Sequence, residues 1–133
     1  MNPKSAKAHF MAGKSIMLTI RKEQSLNYFI KAKELDPGVD RDILYYLGQA
    51  HQYSQNFDSA QVHYRKYLTQ TTTTTDSLQL VRRKEVERKI KECDQARIFM
   101  AAPVNVDIVH VTNKVNSEYP DYAPTITADE SLM

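Results

Sequence analysis

The 133-residue sequence is poor in three residue types, with one cysteine, three glycines and no tryptophan. The lone Cys93 cannot form an internal disulfide, and a single thiol cannot supply a thiolate cluster for zinc. So few glycines argue against a compact many-stranded barrel, because tight turns depend on that residue. No apolar run reaches the roughly 18 residues that a membrane-spanning helix needs, so we expect no direct membrane insertion. Packing of helices must therefore stabilise the fold.

Charge also limits the function classes. Eighteen basic and sixteen acidic side chains leave a net charge of +2, which gives no overall field to hold a polyanion, and we expect no nucleic-acid partner. The amino-terminal residues lack the apolar run of a signal sequence, but this says little about the compartment because a signal is removed during maturation.

An internal repeat organises the first half of the chain. An offset of 35 residues places Gly13 over Gly48 and Phe29 over Tyr64. A glycine inside a helix costs about 1 kcal/mol relative to alanine, so its repetition at one position needs a packing reason. Each copy has a polar break in its middle, at residues 21–23 and 54–56. The pattern predicts two helical hairpins in which each glycine permits close helix contact.

These copies resemble the tetratricopeptide repeat, a helix-turn-helix of about 34 residues. The second copy matches the large, small and aromatic packing residues of that family at Leu44, Leu47, Gly48, Phe57, Ala60, Tyr64 and Leu68. The first copy departs from it at His9, Ala12 and Ser25. The resemblance covers residues 6–72 and implies an all-α fold, a short tetratricopeptide-like helical solenoid.

A third helical segment follows a run of five threonines, Thr71 to Thr75, whose β-branched side chains disfavour helix and indicate a connector. Asp76 is predicted to be its N-cap, and Pro103 should stop the helix. The apolar stripe of this segment comprises Leu78, Val81 or Arg82, Val86, Ile90, Cys93, Arg97 and Met100. Because two repeats leave an apolar end uncovered, we expect this helix to cap the solenoid, in a helical domain at residues 1–100.

The remaining residues, 101–133, are predicted to be a linker and the first strand of a propeller. Alternation at Val104, Val106 and Ile108 is typical of a strand. Residues 113–129 resemble the opening strand of the WD-repeat-like β-propeller in Bacteroidota envelope proteins. The resemblance depends on two tyrosines, two prolines and a closing Ala-Asp pair. The alternative is a polar tail that happens to carry tyrosines. The first interpretation predicts an extended tail that begins a β-propeller.

The sequence offers no constellation for catalysis, and we expect neither an enzyme, nor a cofactor, nor a metal site. No two histidines have the i, i+4 spacing of a helical metal site, and no glycine-rich phosphate loop occurs. Cys93 lies on an apolar stripe, where a thiol behaves as a small hydrophobic group. The basic residues near Arg82 alternate with acidic ones, which indicates a solvated face with charges paired along the helix.

The family resemblance implies a partner-binding groove, because the first helix of each tetratricopeptide unit lines the concave surface. Carried over residue by residue, this face comprises Lys7, Phe10, Met11, Lys14, Met17, Leu18, Asp42, Tyr45, Tyr46, Gln49, Gln52 and Tyr53. Aromatic and methionine side chains with a few polar groups suit a protein or peptide partner. The alternative is that some of them pack against the third helical segment or the tail.

Together these features predict a non-catalytic interaction module or scaffold. The resemblance to Bacteroidota envelope proteins implies a periplasmic, outer-membrane-associated location, an OmpA-like domain further along the protein, and a role in type IX secretion or gliding, with outer-membrane or secretion-system proteins as partners. The alternatives are a cytoplasmic tetratricopeptide adaptor or co-chaperone-like protein, and a regulatory subunit of an enzyme.

Overall fold

The computed structural model describes residues 5–105, and they form five α-helices and one short 3-10 helix. The helices are α1 (Ala6–Met17), α2 (Ser25–Leu35), α3 (Ile43–Tyr53), α4 (Phe57–Gln70) and α5 (Ser77–Ala101), with the 3-10 helix at Lys22–Gln24. All five belong to a unit that ends at Pro103. The prediction of an all-α fold is confirmed for the described residues. The predicted strand begins at Val104, and Val104 and Asn105 have no regular secondary structure. The rest of that strand, from Val106 onward, and the propeller-like stretch lie outside the described residues.

Two helix starts are fixed by side-chain caps. The Ser5 hydroxyl accepts a hydrogen bond from the backbone N–H of Ala8 at 3.2 Å. Asp76 accepts from the N–H groups of Leu78 and Gln79 at 2.9 and 3.3 Å, which confirms its prediction as an N-cap. Such caps satisfy donors that the first turn of a helix leaves unpaired. At its other end, α5 stops at Ala101, two residues before Pro103, as predicted.

The repeated glycines permit the same close contact in both hairpins. α1 packs on α2 and α3 packs on α4. A Cβ atom added at Gly13 would lie 2.8 Å from the ring of Phe29, and one added at Gly48 would lie 2.4 Å from the ring of Tyr64. Both distances are shorter than real Cβ contacts allow. The prediction that each glycine serves close helix contact is therefore confirmed.

The core lies between the two hairpins and extends into α5. Its fully buried side chains include the aromatic residues that face the two glycines. The core comprises Phe10, Phe29, Ala32, Ile43, Leu44, Tyr45, Leu47, Ala50, Ala60, Tyr64, Tyr67, Val86 and Cys93. Ser25 is also fully buried, at the repeat position that Ala60 occupies in the second hairpin. A small residue at that position lets the helices of each hairpin approach closely.

The long helix α5 packs mainly on α4. The Gln61 side-chain amide donates to the backbone carbonyl of Ile90 at 3.0 Å and to the Asp94 carboxylate at 2.8 Å. The predicted apolar stripe is buried in its middle, at Val86 and Cys93, but not at its ends. Leu78 is 55% exposed and Met100 is 57% exposed. The ends of the stripe extend beyond the neighbouring helix.

The connections differ in part from the sequence-based expectations. Residues 71–76 lie between α4 and α5 without helix, as the threonine run predicts. By contrast, α1 ends at Met17, before the expected break at residues 21–23, and the chain then forms the 3-10 helix at Lys22–Gln24. Within residues 5–105, no helix has both the length and the hydropathy to cross a membrane.

Candidate functional site

The structure divides the predicted groove residues into two groups. One group lines a single open groove between α1 and α3, of about 420 Å³. It comprises Met11, Lys14, Met17, Leu18, Tyr46, Gln49 and Tyr53, together with Ser15. The remaining predicted residues, Lys7, Phe10, Asp42, Tyr45 and Gln52, lie beside or beneath this groove, or face α5. The predicted set thus contains every lining residue except Ser15, together with packing residues that do not line the groove.

Asp42 belongs to the packing between α3, α4 and α5. It is buried, accepts a hydrogen bond from the Tyr67 hydroxyl at 3.0 Å, and forms an ion pair with Arg82 of α5. Burial and the Asp42 carboxylate raise the pKa of Tyr67 to about 12. Asp42 is therefore committed to partners inside the protein.

Tyr45 and Gln52 also face α5. The buried Tyr45 hydroxyl donates to the Glu85 carboxylate at 2.8 Å and accepts from the Gln49 amide at 2.9 Å. Burial, followed by this contact with Glu85, raises the pKa of Tyr45 well above its usual value. Gln52 donates to the Glu92 carboxylate at 3.4 Å. We call these contacts and the Asp42–Arg82 pair the α3–α5 seam.

An aromatic cluster forms the base of the groove. Tyr46 is half-buried, and its ring centroid lies 5.3 Å from Phe10, 5.5 Å from Phe29 and 5.2 Å from Tyr45. Phe10 is only 1% exposed, so it supports the groove from below and is not part of its surface. Aromatic pairs at such distances are favourable beyond the area they bury. At this base Tyr46 therefore packs against three other rings, whereas several of the side chains around it are exposed.

Exposed apolar side chains lie around this base. Met11 is 49% exposed, Tyr53 is 42% exposed and Leu18 is 90% exposed. Lys7 lies near Phe10 and pairs with Asp40 at 3.6 Å, largely in solvent. The groove itself thus offers an apolar, sulfur- and ring-lined surface with the Lys14 side chain in its lining.

A second cavity, of about 420 Å³, was not predicted. It lies among α2, α3 and α4, and its lining comprises Ile30, Lys33, Glu34, Leu47, His51 and His63. The two imidazole rings stack with centroids 5.0 Å apart. Burial lowers the pKa of both histidines, and each also feels neighbouring positive charge: His63 acts on His51, and Lys33 and Lys66 act on His63. The spacing of twelve residues between the two histidines did not predict this contact, because it forms only where α3 and α4 pack against each other.

Reactive chemistry is scarce in the described part of the chain. In residues 5–105, no three His, Cys, Asp or Glu side chains form a group that could hold a metal ion. Cys93 is fully buried, as its place on the stripe predicted, and burial raises the pKa of its thiol. Such a thiol is a poor nucleophile at neutral pH.

The basic cluster of α5 follows the prediction only in part. Lys89 pairs with Glu85 and Arg88 pairs with Glu92, both along the helix as expected. Arg82 and Arg83 instead reach other elements, and the Arg83 guanidinium donates to the Leu68 carbonyl and to the Thr71 hydroxyl. These two arginines hold α5 against the second hairpin.

Comparison with family models, with curated proteins and with solved structures finds no match for this chain.

Proposed function

We propose that this protein is a non-catalytic interaction module that binds an extended protein segment in the groove between α1 and α3. The observation that carries the proposal is the groove itself: exposed methionine, leucine and tyrosine side chains from both sides of the groove surround one packed aromatic base. Adaptable thioethers and rings with one polar edge are typical of surfaces that bind peptides.

The repeat supports this proposal and gives it an architecture. Two hairpins with the same glycine–aromatic contact, followed by a covering helix, are what a tetratricopeptide-like solenoid of two repeats and a cap would require. In such a solenoid α1 and α3 are the groove-lining helices, and they are the helices that meet at the groove described above.

The setting proposed for this module is a periplasmic, outer-membrane-associated assembly, with the type IX secretion or gliding machinery as the specific candidate. It depends on the resemblance of residues 113–129 to a propeller strand, and a cytoplasmic adaptor or co-chaperone-like protein is the alternative. Fractionation of cells that produce the native protein tests the setting, because recovery in the cytosol would favour the adaptor.

Peptide selection tests the binding function. A phage-displayed library of random 12-residue peptides, panned on the purified protein, should yield ligands whose affinity depends on Met11 and Tyr53. We expect Met11→Ala and Tyr53→Ala each to weaken binding by up to about 2 kcal/mol, the size of an interface hot spot, while the helix content stays unchanged. Both side chains are more than two-fifths exposed, so their removal leaves the core intact.

The matched control is Val62→Ala. Val62 is 49% exposed, as Met11 is, but it lies on α4 and does not line the groove. Selected peptides should bind this variant as they bind the unmodified protein. A library that yields no ligand, or ligands indifferent to Met11 and Tyr53, would contradict the proposed function.

A further inference from the structure

The groove contains one half-buried cation, Lys14, that has no carboxylate partner among residues 5–105. Lys14 lies in the lining between α1 and α3, and its Nζ atom is 5.7 Å from the centroid of the Phe10 ring and 5.4 Å from that of Tyr46. In the described part of the chain, the ion pairs include Lys7 with Asp40 but none that involves Lys14.

The described residues place no negative charge in the groove lining around Lys14. Glu23 lines the adjoining pocket, which shares Tyr53 with the groove, but it does not line the groove itself. Lys22 lies nearby with its Nζ 5.1 Å from the centroid of the Tyr53 ring, and it too takes part in none of these ion pairs. These three ring contacts thus hold the ammonium groups of Lys14 and Lys22 against aromatic side chains at the groove.

Contact with an aromatic face leaves most of the hydrogen-bonding capacity of an ammonium group unused. The cation–π attraction is modest, and it leaves the group's three N–H donors able to bind an anionic acceptor. A carboxylate brought to Lys14 would form a charge-assisted hydrogen bond in surroundings that are drier than bulk water. Apolar ligand groups next to that carboxylate would meet Met11, Met17 and Tyr53.

We infer, on the basis of the proposed function, that the groove selects extended segments in which an acidic side chain lies beside Lys14 and apolar side chains flank it. The ligand class is therefore an acidic, partly apolar peptide segment. A basic or uncharged segment of the same length would leave Lys14 without an anionic partner.

The composition of the peptides selected from the random 12-residue library tests this inference. We expect the bound set to be enriched in Asp and Glu relative to the unselected library. A single acidic position should be essential, and its replacement by the corresponding amide should weaken binding about five- to tenfold. Raising the salt concentration should also weaken the acidic ligands, because a partly exposed ion pair is screened.

Variants of Lys14 connect this preference to one residue. Lys14→Gln should lower the affinity of the acidic ligands about five- to tenfold and remove the difference between acid and amide peptides. Lys14→Arg should retain the preference. Lys91→Gln is the matched control, since Lys91 is an exposed lysine of α5 that is not part of the groove lining. Circular dichroism of each variant checks that α1 persists, because Lys14 also lies in its last turn.

The possible outcomes separate the inference from the function beneath it. Ligands that depend on Met11 and Tyr53, but show no acidic enrichment or no response to Lys14→Gln, would overturn the inference and leave the proposed function standing. A library without ligands would overturn both. Acidic ligands that respond equally to Lys14→Gln and Lys91→Gln would show attraction to overall charge and would also overturn the inference.

Discussion

The two hairpins share one contact but differ in the polar interactions that accompany it. In both, a glycine meets an aromatic ring, Gly13 with Phe29 and Gly48 with Tyr64. Phe29 is held by packing alone, whereas the Tyr64 hydroxyl also donates to Gln52 at 2.8 Å. The apolar packing of the two hairpins thus follows the repeated pattern. The hydrogen bond between Tyr64 and Gln52 additionally fixes the position of the ring in the second hairpin.

The ion pairs show the same difference. Lys7 of α1 pairs with Asp40, and its side chain remains 63% exposed. One repeat length later in the sequence, Asp42 pairs with Arg82 of α5, with side chains only 9% and 17% exposed. Exposed pairs contribute little to stability, but removing one partner of a buried pair leaves an unpaired charge inside the protein. Substitutions in the α3–α5 seam should therefore reduce stability more than substitutions of the exposed Lys7–Asp40 pair.

The largest expected effect is that of Asp42→Ala. This substitution leaves Arg82 without its carboxylate and the Tyr67 hydroxyl without its acceptor. We expect the free energy of unfolding to fall by about 3–5 kcal/mol, measured by urea denaturation. Lys7→Gln is the control from the first hairpin and should cost less than about 1 kcal/mol.

A double-mutant cycle sharpens this comparison. Asp42→Ala and Arg82→Ala should be strongly non-additive, since either substitution alone breaks the same pair. Equal losses for Lys7→Gln and Asp42→Ala would mean that burial does not distinguish the two pairs.

The next largest effect concerns the repeated glycines. Gly48→Leu should cost about 1–3 kcal/mol by overpacking, because even its Cβ atom would lie 2.4 Å from the Tyr64 ring. Gly13→Leu should cost less than Gly48→Leu. Its neighbour, the Phe29 ring, is further away at 2.8 Å and lacks a hydroxyl that would anchor it. Thermal unfolding of both variants measures the difference.

Combining Gly48→Leu with Tyr64→Leu provides the control, because removing the ring also removes the clash. The double variant should lose less stability than the sum of the two single losses. If Gly48→Leu leaves Tm unchanged, the close contact in the second hairpin does not constrain the fold.

The sequence predicted the parts of the fold that depend on local spacing. Gly13 and Gly48 revealed the hairpins because an identical residue with a high helical cost recurs at one offset, and Asp76 revealed the start of α5 through its capping chemistry. The burial of Tyr45 against Glu85 and the stacking of His51 on His63 depend on how helices cross. These contacts join residues 40 and 12 positions apart, so no periodicity indicates them.

The smallest expected effect is a pH dependence that belongs to the second cavity. Burial lowers the pKa of His51 and His63 below the ordinary value of 6.5, so the unfolded chain binds protons more readily than the folded one. Stability from these rings is therefore fully present above about pH 6.5 and is lost as the pH falls through the folded pKa values. Lys33 and Lys66 act in the same direction on His63, since positive charge opposes its protonation.

We expect Tm to fall by a few degrees between pH 7.5 and pH 5, and the double substitution His51→Gln with His63→Gln to flatten that part of the profile. Asp76 and Asp94 titrate in a separate window. Hydrogen bonds, first of all those from Arg41 to Asp76 and from Gln61 to Asp94, lower the pKa of each carboxyl, so their contribution to stability is lost only below about pH 4. A profile between pH 7.5 and 5 that keeps its slope in the double variant would assign the dependence to other groups. If the slope disappears in the double variant, the pH dependence belongs to the stacked histidine rings. The first hairpin has no such pair, because Ile16 and Tyr28 occupy the equivalent positions of the repeat.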